Sequence, residues 1–573
     1  MFLIKSGSNK KKIRLKLFDS ESLKQVQRRI LFAGSIFILI YISIFIRLTD
    51  VMILSNLLSD KKEINQINSR IDKYKNIDLI ERGNIFDRNG VLLASNIRSY
   101  SLGLRPKLIS NKISTSEKLS KILGLNKKII LKKLNSKSSF IWIKRDISPK
   151  EHLLINNIGE IGLIIEKEQR RIYPQGNLTS HVVGFTDIDQ QPLGGIEKGL
   201  NSKLINNEDV FLSIDIRLQN LVNEELQEGV SKFNAQGGIS IILDITTGQV
   251  LASTSLPNFD PNKVYLSPKK NLFNSFSQGV YEMGSTFKPI TMAIGYDSNS
   301  INNSDLFEVN RPIKIGKHSI NDYKPLKGPL NVREIIVNSS NIGTARVAEL
   351  IGKNIQKKYL KKFGLLEKQN LEIPETGTPL FPNPWLPVNT MTIGFGYGLS
   401  ISPLQLCNAY STLVNGGIPL KTTFLRDSEI KYFPRVIDEE TSFKIRELLR
   451  AVILETKWTG PRAKVPGYEV AGKTGTAELI ENSNYHKKAN LSSFIGVFPI
   501  SKPKYVILVM IKDPKGIEET YYNTTGAWVA APIFSKIIKK MVKILSIPPT
   551  EYEMFYNANL NNKKLRNNYI VTF

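Results

Sequence analysis

Ser285 and Lys288 have the types and the spacing of a nucleophile and the base that activates it. A serine hydroxyl attacks poorly until a base takes its proton, and a lysine three residues further along a helix projects from nearly the same face. Gly284 and Pro289 flank the pair, as expected near the start of a helix. The same pattern also describes an N-cap serine followed by a solvated lysine, and it is common by chance. The pair therefore indicates nucleophilic catalysis only if other segments support it.

Two further motifs follow in the chain, Ser339-Ser340-Asn341 and Lys473-Thr474-Gly475-Thr476. The first opens or interrupts a predicted helix, and the second lies on a predicted strand. Taken singly, a Ser-x-Asn sequence is most often a capping turn, and a Lys-Thr-Gly sequence is most often the end of a strand. The order Ser-x-x-Lys, Ser-x-Asn and Lys-Thr-Gly within one domain is much rarer. It is the motif set of the serine enzymes that recognise β-lactams, the penicillin-binding proteins and the β-lactamases.

The third motif overlaps a sequence that matches the phosphate-binding P-loop, from Gly467 to Thr474. A P-loop needs a buried strand before its first glycine and a helix that begins at the Lys-Thr pair. Here Pro466 ends a polar stretch, and Gly475 stands where the helix would propagate. The context therefore disfavours a nucleotide hydrolase.

The composition excludes several other classes of function. A chain of 573 residues predicts two to four domains. The net charge of +28 comes from lysines scattered through every segment rather than from one basic face, so we expect no nucleic-acid partner. Cys407 is the only cysteine, which excludes an intrachain disulfide framework. The four histidines have no metal-ligand spacing, and we expect neither metal nor cofactor: His152, His181, His318 and His486.

The first 80 residues predict a membrane anchor. Residues 1–29 are strongly basic, and Ile30 to Ile46 contains no ionisable side chain except Tyr41. We expect a transmembrane helix over residues 30–50, with the basic end in the cytoplasm and the remainder outside it. A cleavable signal peptide is disfavoured because no small residues follow the apolar run. Residues 51–80 are polar and suit a stalk.

The remaining pattern predicts two folded parts and a tail. Residues 81–207 predict an extended, non-catalytic domain that begins with a strand, an Asn89-Gly90 turn and a second strand, and is mainly helical over residues 115–160. Residues 208–547 predict an α+β domain. Its expected strands are 238–244, 249–255, 470–477, 493–498 and 505–512, and its expected helices are 215–231, 286–294, 331–351, 402–415 and 527–545. We expect disorder over residues 548–573.

Over nearly its whole length the sequence resembles the class B penicillin-binding proteins. Arg82 to Gly90 is similar to the box that opens their pedestal domain, and Arg171-x-Tyr173-Pro174 is similar to its second segment. Gly394 to Gln405 is closer to the cell-division type than to the elongation type. Met283 departs from the proline of many relatives, a change that alters loop stiffness. The resemblance implies an N-terminal transmembrane helix, an extended pedestal and a transpeptidase domain like that of serine β-lactamases, with an antiparallel sheet flanked by helices.

The resemblance also implies an activity, the cross-linking of peptidoglycan stem peptides at the division septum. Ser285 is the expected acylated nucleophile for stem peptides and for β-lactams, and Lys288, kept neutral by burial and by a nearby lysine, is the expected base. Ser339 passes a proton to the departing D-alanine, and Asn341 holds Lys288 and the substrate amide. Four residues are the expected carboxylate site: Lys473, Thr474, Gly475 and Thr476.

Partners and alternatives follow from the same resemblance. The expected partners are a membrane-embedded glycan polymerase and other division proteins, at the cytoplasmic (inner) membrane with the catalytic domain in the periplasm. Three alternatives stay open at this point. They are an elongation-type transpeptidase, a D,D-carboxypeptidase or β-lactamase that uses water as the acyl acceptor, and a catalytically silent scaffold of the division machinery.

Overall fold

The structure is a computed structural model that describes residues 20–49, 81–316, 318–481 and 484–549. The chain divides into two compact units, residues 1–79 and 80–573. The described part of the first unit is one helix, α1 (Ser20–Thr49), which contains the apolar run Ile30 to Ile46. Among the described residues, no helix meets the length and apolarity required to traverse a bilayer. The predictions for the stalk and for the C-terminal tail lie outside the described residues, apart from 548 and 549.

The second unit begins with the segment predicted as the pedestal. Its helices are α2 (Lys112–Leu123), α3 (Lys127–Leu134), α4 (Pro149–Asn156), α5 (Ser180–Val183), α6 (Gly195–Gly199) and α7 (Asn201–Ile205). Its strands are β1 (Ile85–Phe86), β2 (Leu92–Leu104), β3 (Ile141–Ile147), β4 (Leu163–Ile172), β5 (Phe185–Thr186) and β6 (Pro192–Gly194). The predicted strand–turn–strand at its start is confirmed by β1 and β2, which pair antiparallel.

Within this segment, the strands β3 and β4 are the main difference from the sequence prediction. Residues 115–160 contain parts of three helices as expected, but β3 lies among them and pairs with β2. β4 was not predicted, and it pairs with β2 from Ser95↔Ile172 to Leu104↔Leu163. Both strands carry half-buried charged residues, so neither shows the clean alternation of apolar and polar side chains by which strands are recognised.

A buried ion-pair triad ties three distant parts of this segment together. The Arg82 Nε lies 2.6 Å from Glu197 Oε2, and the Arg171 Nε lies 2.6 Å from Glu197 Oε1. All three side chains are buried. Replacing one of the three residues would leave a buried charge without a partner. We therefore expect the loss of any one of them to destabilise the protein strongly.

The remaining chain forms the α+β part that the sequence predicts. Five strands form an antiparallel sheet: β8 (Gly237–Asp244), β9 (Val250–Leu256), β16 (Ala471–Glu481), β17 (Asn484–Phe498) and β18 (Tyr505–Lys512). Across the sheet their order is β16-β17-β18-β8-β9. The short strands are β7 (Val210–Phe211), β10 (Tyr281–Glu282), β11 (Phe307–Glu308), β12 (Ile313–Ile315), β13 (His318–Ile320), β14 (Pro329–Leu330) and β15 (Ser400–Ile401). β7 pairs in parallel with β1, so the predicted pedestal and this part share a strand pairing.

Helices cover both faces of the sheet. The longer ones are α8 (Ile216–Lys232), α9 (Lys288–Asp297), α10 (Val332–Asn338), α11 (Asn341–Lys362), α12 (Pro387–Gly394), α13 (Pro403–Val414), α14 (Glu439–Glu455) and α16 (Ala530–Ile544), with α15 (Gly460–Ala463) a single turn. Because side chains alternate along a strand, Ile241 packs into the core below α9, α13 and α14, whereas Ile242 packs against α8 and α16. The site lies on the first of these faces.

Candidate active site

Ser285 lies in a tight turn immediately before α9. Gly284 to Phe287 forms a 3₁₀ turn. The α-helix was predicted to begin at residue 286, but it begins at Lys288. Gly284 has φ +51°, and a Cβ there would lie 3.0 Å from the Thr476 carbonyl oxygen. The glycine therefore permits both the left-handed turn and the close approach of the third motif. Ser285 is half-buried at the surface of this turn.

The Ser-x-Asn motif lies at a corner between two helices, so it interrupts the single helix that was predicted over residues 331–351. The helix α10 ends at Asn338, and Ser339 adopts the left-handed conformation with φ 57°. The Ser340 hydroxyl then accepts a hydrogen bond from the Gly343 N–H at 2.9 Å and caps α11. The corner turns the Ser339 hydroxyl and carbonyl towards α9 and the sheet.

Lys473 lies within the strand β16, opposite Ile495 of β17. Directly paired residues point to the same face, and Ile495 belongs to the core below α9. The strand continues through Thr474, Gly475 and Thr476 to Glu481. No helix begins at the Lys-Thr pair, so the P-loop interpretation is excluded by the local structure.

The three motifs meet at Ser339. The Lys288 Nζ donates to the Ser339 Oγ at 3.2 Å and also to the Ser339 carbonyl oxygen. The Lys473 Nζ donates to the same Oγ at 3.0 Å and to the Thr474 carbonyl oxygen at 3.2 Å. One serine hydroxyl thus bridges two lysines that are 0% and 1% exposed. Ser285 precedes Lys288 by three residues, and among the described residues no hydrogen bond joins its hydroxyl to either lysine or to Ser339.

Burial controls the protonation of both lysines. It holds the pKa of Lys288 well below its ordinary value, and the positive charge of Lys473 lowers it further, while the carboxylate of Asp322 raises it. Burial likewise lowers the pKa of Lys473 to about 7. Burial and the charge of Lys473 therefore favour the neutral form of the Lys288 amine, three residues after Ser285, and a base that activates a serine must be neutral.

Gly475 allows β16 to approach the nucleophile turn. A Cβ at this position would lie 2.4 Å from the Ser493 Oγ and 2.8 Å from the Thr286 Cγ2. Thr476, next along the strand, accepts a hydrogen bond on its Oγ1 from the Gly526 N–H at 3.3 Å. Gly475 thus lets the strand approach the nucleophile turn, and Thr476 joins the strand to the loop at Gly526.

One predicted contact is different in the structure. The Asn341 Nδ2 donates to the Asn321 carbonyl oxygen at 2.9 Å, whereas the described hydrogen bonds of Lys288 go to Ser339. Asn341 therefore belongs to the same corner, but its amide is directed to the neighbouring loop. The resemblance implied that it holds Lys288, and this arrangement does not show that contact.

Sequence reasoning missed two supporting residues. Asp322 accepts hydrogen bonds at the Ser-x-Asn corner, and the Tyr410 hydroxyl donates to the Thr286 carbonyl oxygen at 2.6 Å. No local pattern marks either residue, because each acts on a segment that is distant in sequence. Within the described residues, no cluster of His, Cys, Asp or Glu side chains is placed to hold a metal ion.

Comparison with known protein families agrees with this geometry. The family model "Penicillin binding protein transpeptidase domain" matches residues 238–539, and "Penicillin-binding Protein dimerisation domain" matches residues 77–205. The chain therefore belongs to the penicillin-binding proteins that combine a dimerisation domain with a transpeptidase domain. The resemblance to class B members noted from the motifs is confirmed.

The chain is also similar to individual proteins over most of its length. The chain is 33% identical over 480 residues to "Probable peptidoglycan D,D-transpeptidase FtsI" of Caulobacter vibrioides, covering 81% of this chain and 82% of that protein. It is 32% identical over 504 residues to "Probable peptidoglycan D,D-transpeptidase PenA" of Neisseria gonorrhoeae, covering 82% and 85%. Stage V sporulation protein D of Bacillus subtilis is 31% identical over 543 residues, covering 84% and 81%.

A solved structure shares the fold. The peptidoglycan synthetase from Bifidobacterium adolescentis superposes with a TM-score of 0.64 at 21% identity, covering 82% of this chain and 96% of that one. At this level of identity the likeness concerns the architecture alone.

Proposed function

We propose that this protein is a peptidoglycan D,D-transpeptidase that cross-links stem peptides at the division septum through an acyl-enzyme on Ser285. The observation that carries the proposal is the convergence of two buried lysines on Ser339, of which Lys288 lies one turn of chain after Ser285. Its support from relatives is that several are named peptidoglycan D,D-transpeptidase, FtsI among them. The proposed catalytic domain spans residues 208–547, and the proposed pedestal spans 81–207.

In the acylation step, the Ser285 Oγ attacks the carbonyl carbon between the two terminal D-alanines of a stem peptide. The neutral Lys288 amine accepts the hydroxyl proton as the new C–O bond forms. The backbone N–H groups of Ser285 and Thr476 receive the developing oxyanion, a stabilisation of roughly 3 kcal/mol for each donor. The C–N bond then breaks, and D-alanine leaves.

Ser339 is placed to deliver the proton that the leaving amine requires. Its hydroxyl accepts hydrogen bonds from both Lys288 and Lys473, so a proton taken by Lys288 reaches Ser339 along an existing contact. Ser339 thereby passes a proton to the departing D-alanine while Lys288 returns to its neutral form. Asn341, at the same corner, binds the substrate amide through its side-chain oxygen, since its Nδ2 donates to the Asn321 carbonyl oxygen.

The strand β16 supplies the carboxylate site of the proposed reaction. Lys473, Thr474 and Thr476 bind the terminal carboxylate of the stem peptide, and Gly475 keeps the strand close to the nucleophile. A bound carboxylate favours the charged form of Lys473, whose pKa in the free protein is about 7. An amine of a neighbouring stem peptide then attacks the acyl-enzyme, forms the new amide and releases Ser285.

We further propose where the reaction takes place. The basic residues 1–29 followed by the apolar run Ile30 to Ile46 suit a single anchor in the cytoplasmic membrane, with the catalytic part in the periplasm. Partners of this proposal are a membrane-embedded glycan polymerase and other division proteins. A fluorescent fusion at mid-cell supports the septal role, whereas a fusion along the side wall supports the elongation role.

The test of the activity is gel fluorography with a labelled penicillin on membranes. Wild type should be labelled covalently, and Ser285→Ala should not be labelled. Ser298→Ala, at the end of the same helix, is the matched control and should be labelled as wild type. Labelling that persists in Ser285→Ala refutes the assignment of the nucleophile. With purified enzyme and stem peptides, D-alanine release without dimeric products would identify a carboxypeptidase instead.

A further inference from the structure

Asp322 reaches the Ser-x-Asn corner from a loop of its own. The loop connects β13 and β14, and its carboxylate accepts hydrogen bonds from three groups of the corner. The Ser340 Oγ donates to Asp322 Oδ2 at 2.8 Å, and the Ile342 N–H donates to Asp322 Oδ1 at 3.0 Å. The Asn341 N–H donates to the same Oδ1. A single carboxylate therefore fixes the backbone directly after Ser339.

This attachment acts on a strained part of the backbone. Ser339 has φ 57°, a left-handed conformation that residues other than glycine avoid. The residues that follow are held by Asp322 and by the Ser340 cap at the start of α11, where a carboxylate is also favoured by the helix dipole. The conformation of Ser339 sets the direction of its hydroxyl and its carbonyl oxygen, which are the two acceptors of Lys288.

Two charged groups act on the Lys288 amine from the elements packed against it. Lys473 on β16 lowers the pKa of Lys288, and Asp322 on the β13–β14 loop raises it. The two effects oppose each other, so the charge of Asp322 moderates the effect of Lys473. Asp322 thus holds the corner by hydrogen bonds and acts on the Lys288 amine through its negative charge.

We propose that Asp322 is a positioning residue for acylation, which holds Ser339 in register with the two lysines and balances the positive charge around Lys288. The proposal rests on the proposed role of Lys288 as the base. Under this proposal the β13–β14 loop, which lies outside all three motifs, affects both the rate of acylation and its pH dependence.

The experiment separates the hydrogen bonds of Asp322 from its charge. The second-order rate of acylation by a labelled penicillin is measured against pH for full-length wild type, Asp322→Asn and Asp322→Ala. Asn keeps an acceptor oxygen and removes the charge, so the pKa of Lys288 falls and the acid limb of the profile moves to lower pH. Ala removes both, and its acylation rate should fall at least ~10-fold across the pH range, since a positioned proton-transfer group contributes about 10²–10⁴-fold.

A matched control lies in the same part of the fold. Asp305 accepts a hydrogen bond from the Asn302 N–H at 2.7 Å, away from the corner, and Asp305→Asn should keep the wild-type rate and profile. If Asp322→Ala does not fold, as judged by thermal unfolding, the shift of the acid limb in Asp322→Asn still decides the question. An unmoved acid limb in Asp322→Asn, or an Asp322→Ala rate within twofold of wild type, overturns the proposal. Wild type that is never acylated would instead refute the proposed function.

Discussion

Lys473→Met is the substitution that tests most directly how the site is built. Lys473 is 1% exposed, and both described acceptors of its Nζ are neutral groups, a hydroxyl and a carbonyl. Methionine has a similar length and no charge. We expect the variant to unfold at a higher temperature than wild type at pH 7 and to lose most of its acylation activity.

The magnitude follows from the pKa of Lys473, which falls from 10.5 to about 7 in the folded protein. At pH 7 the Lys473 amine is protonated in the unfolded chain but only half protonated in the folded chain. Since a difference of one pKa unit corresponds to ~1.4 kcal/mol, this difference lowers the stability of the folded state by about 4 kcal/mol. Methionine removes this cost but also removes two hydrogen bonds worth about 1 kcal/mol each. The net expected gain is about 2 kcal/mol, or roughly 3 °C in the unfolding midpoint of a part of this size.

The stability difference between wild type and Lys473→Met should depend on pH. Between pH 7 and 10.5 the unfolded chain binds more protons at Lys473 than the folded chain does, so wild type becomes more stable as the pH rises through this window. The Lys473→Met variant lacks this titration. Its advantage should shrink with rising pH, vanish near pH ~9 and reverse above it, because only the lost hydrogen bonds then remain.

The assay is thermal unfolding of both proteins at several pH values, with penicillin labelling of the same samples. Acylation should fall roughly 100-fold or more, since a charge-assisted hydrogen bond is worth about 3 kcal/mol. Lys368→Met, at an exposed position, is the control and should change neither the midpoint nor its pH dependence. A Lys473→Met variant that is less stable than wild type at pH 7, by an amount independent of pH, would show that the pKa of this lysine is not lowered in the folded protein.

Two further substitutions test the nucleophile turn. Gly396→Ala should destabilise the protein by about 3 kcal/mol in urea unfolding and impair penicillin labelling, because φ is +93° and the new Cβ would lie 2.0 Å from the Gly284 carbonyl oxygen. Gly364 has φ +71° but open space around its Cα, so Gly364→Ala should lower stability by only about 1 kcal/mol and should be labelled by penicillin like wild type. Equal effects of the two substitutions would contradict the role of the contact with Gly284. Tyr410→Phe should lower stability by about 2 kcal/mol and slow acylation, since the Thr286 carbonyl loses its buried donor, and unchanged acylation kinetics argue against that coupling.

Much of the fold was predictable because its signals are local. The strands β8, β9, β16 and β18 and the helices α8, α13 and α16 were each expected within a few residues of their observed bounds. Their apolar runs, turns and caps lie within the segments themselves. The strands β3 and β4 were missed because their pairing with β2, rather than their own patterning, makes them strands.

The sequence by itself determined the three motifs, their order, and the strand that carries Lys473, since each depends on residues close together in the chain. Only the tertiary structure decided that Lys288 and Lys473 both donate to Ser339, across separations of 51 and 134 residues. It also decided that Asn341 faces Asn321 and that Asp322 holds the corner. The physical reason is that a hydrogen bond between distant segments depends on how helices and strands pack, and neither residue type nor local periodicity records that packing.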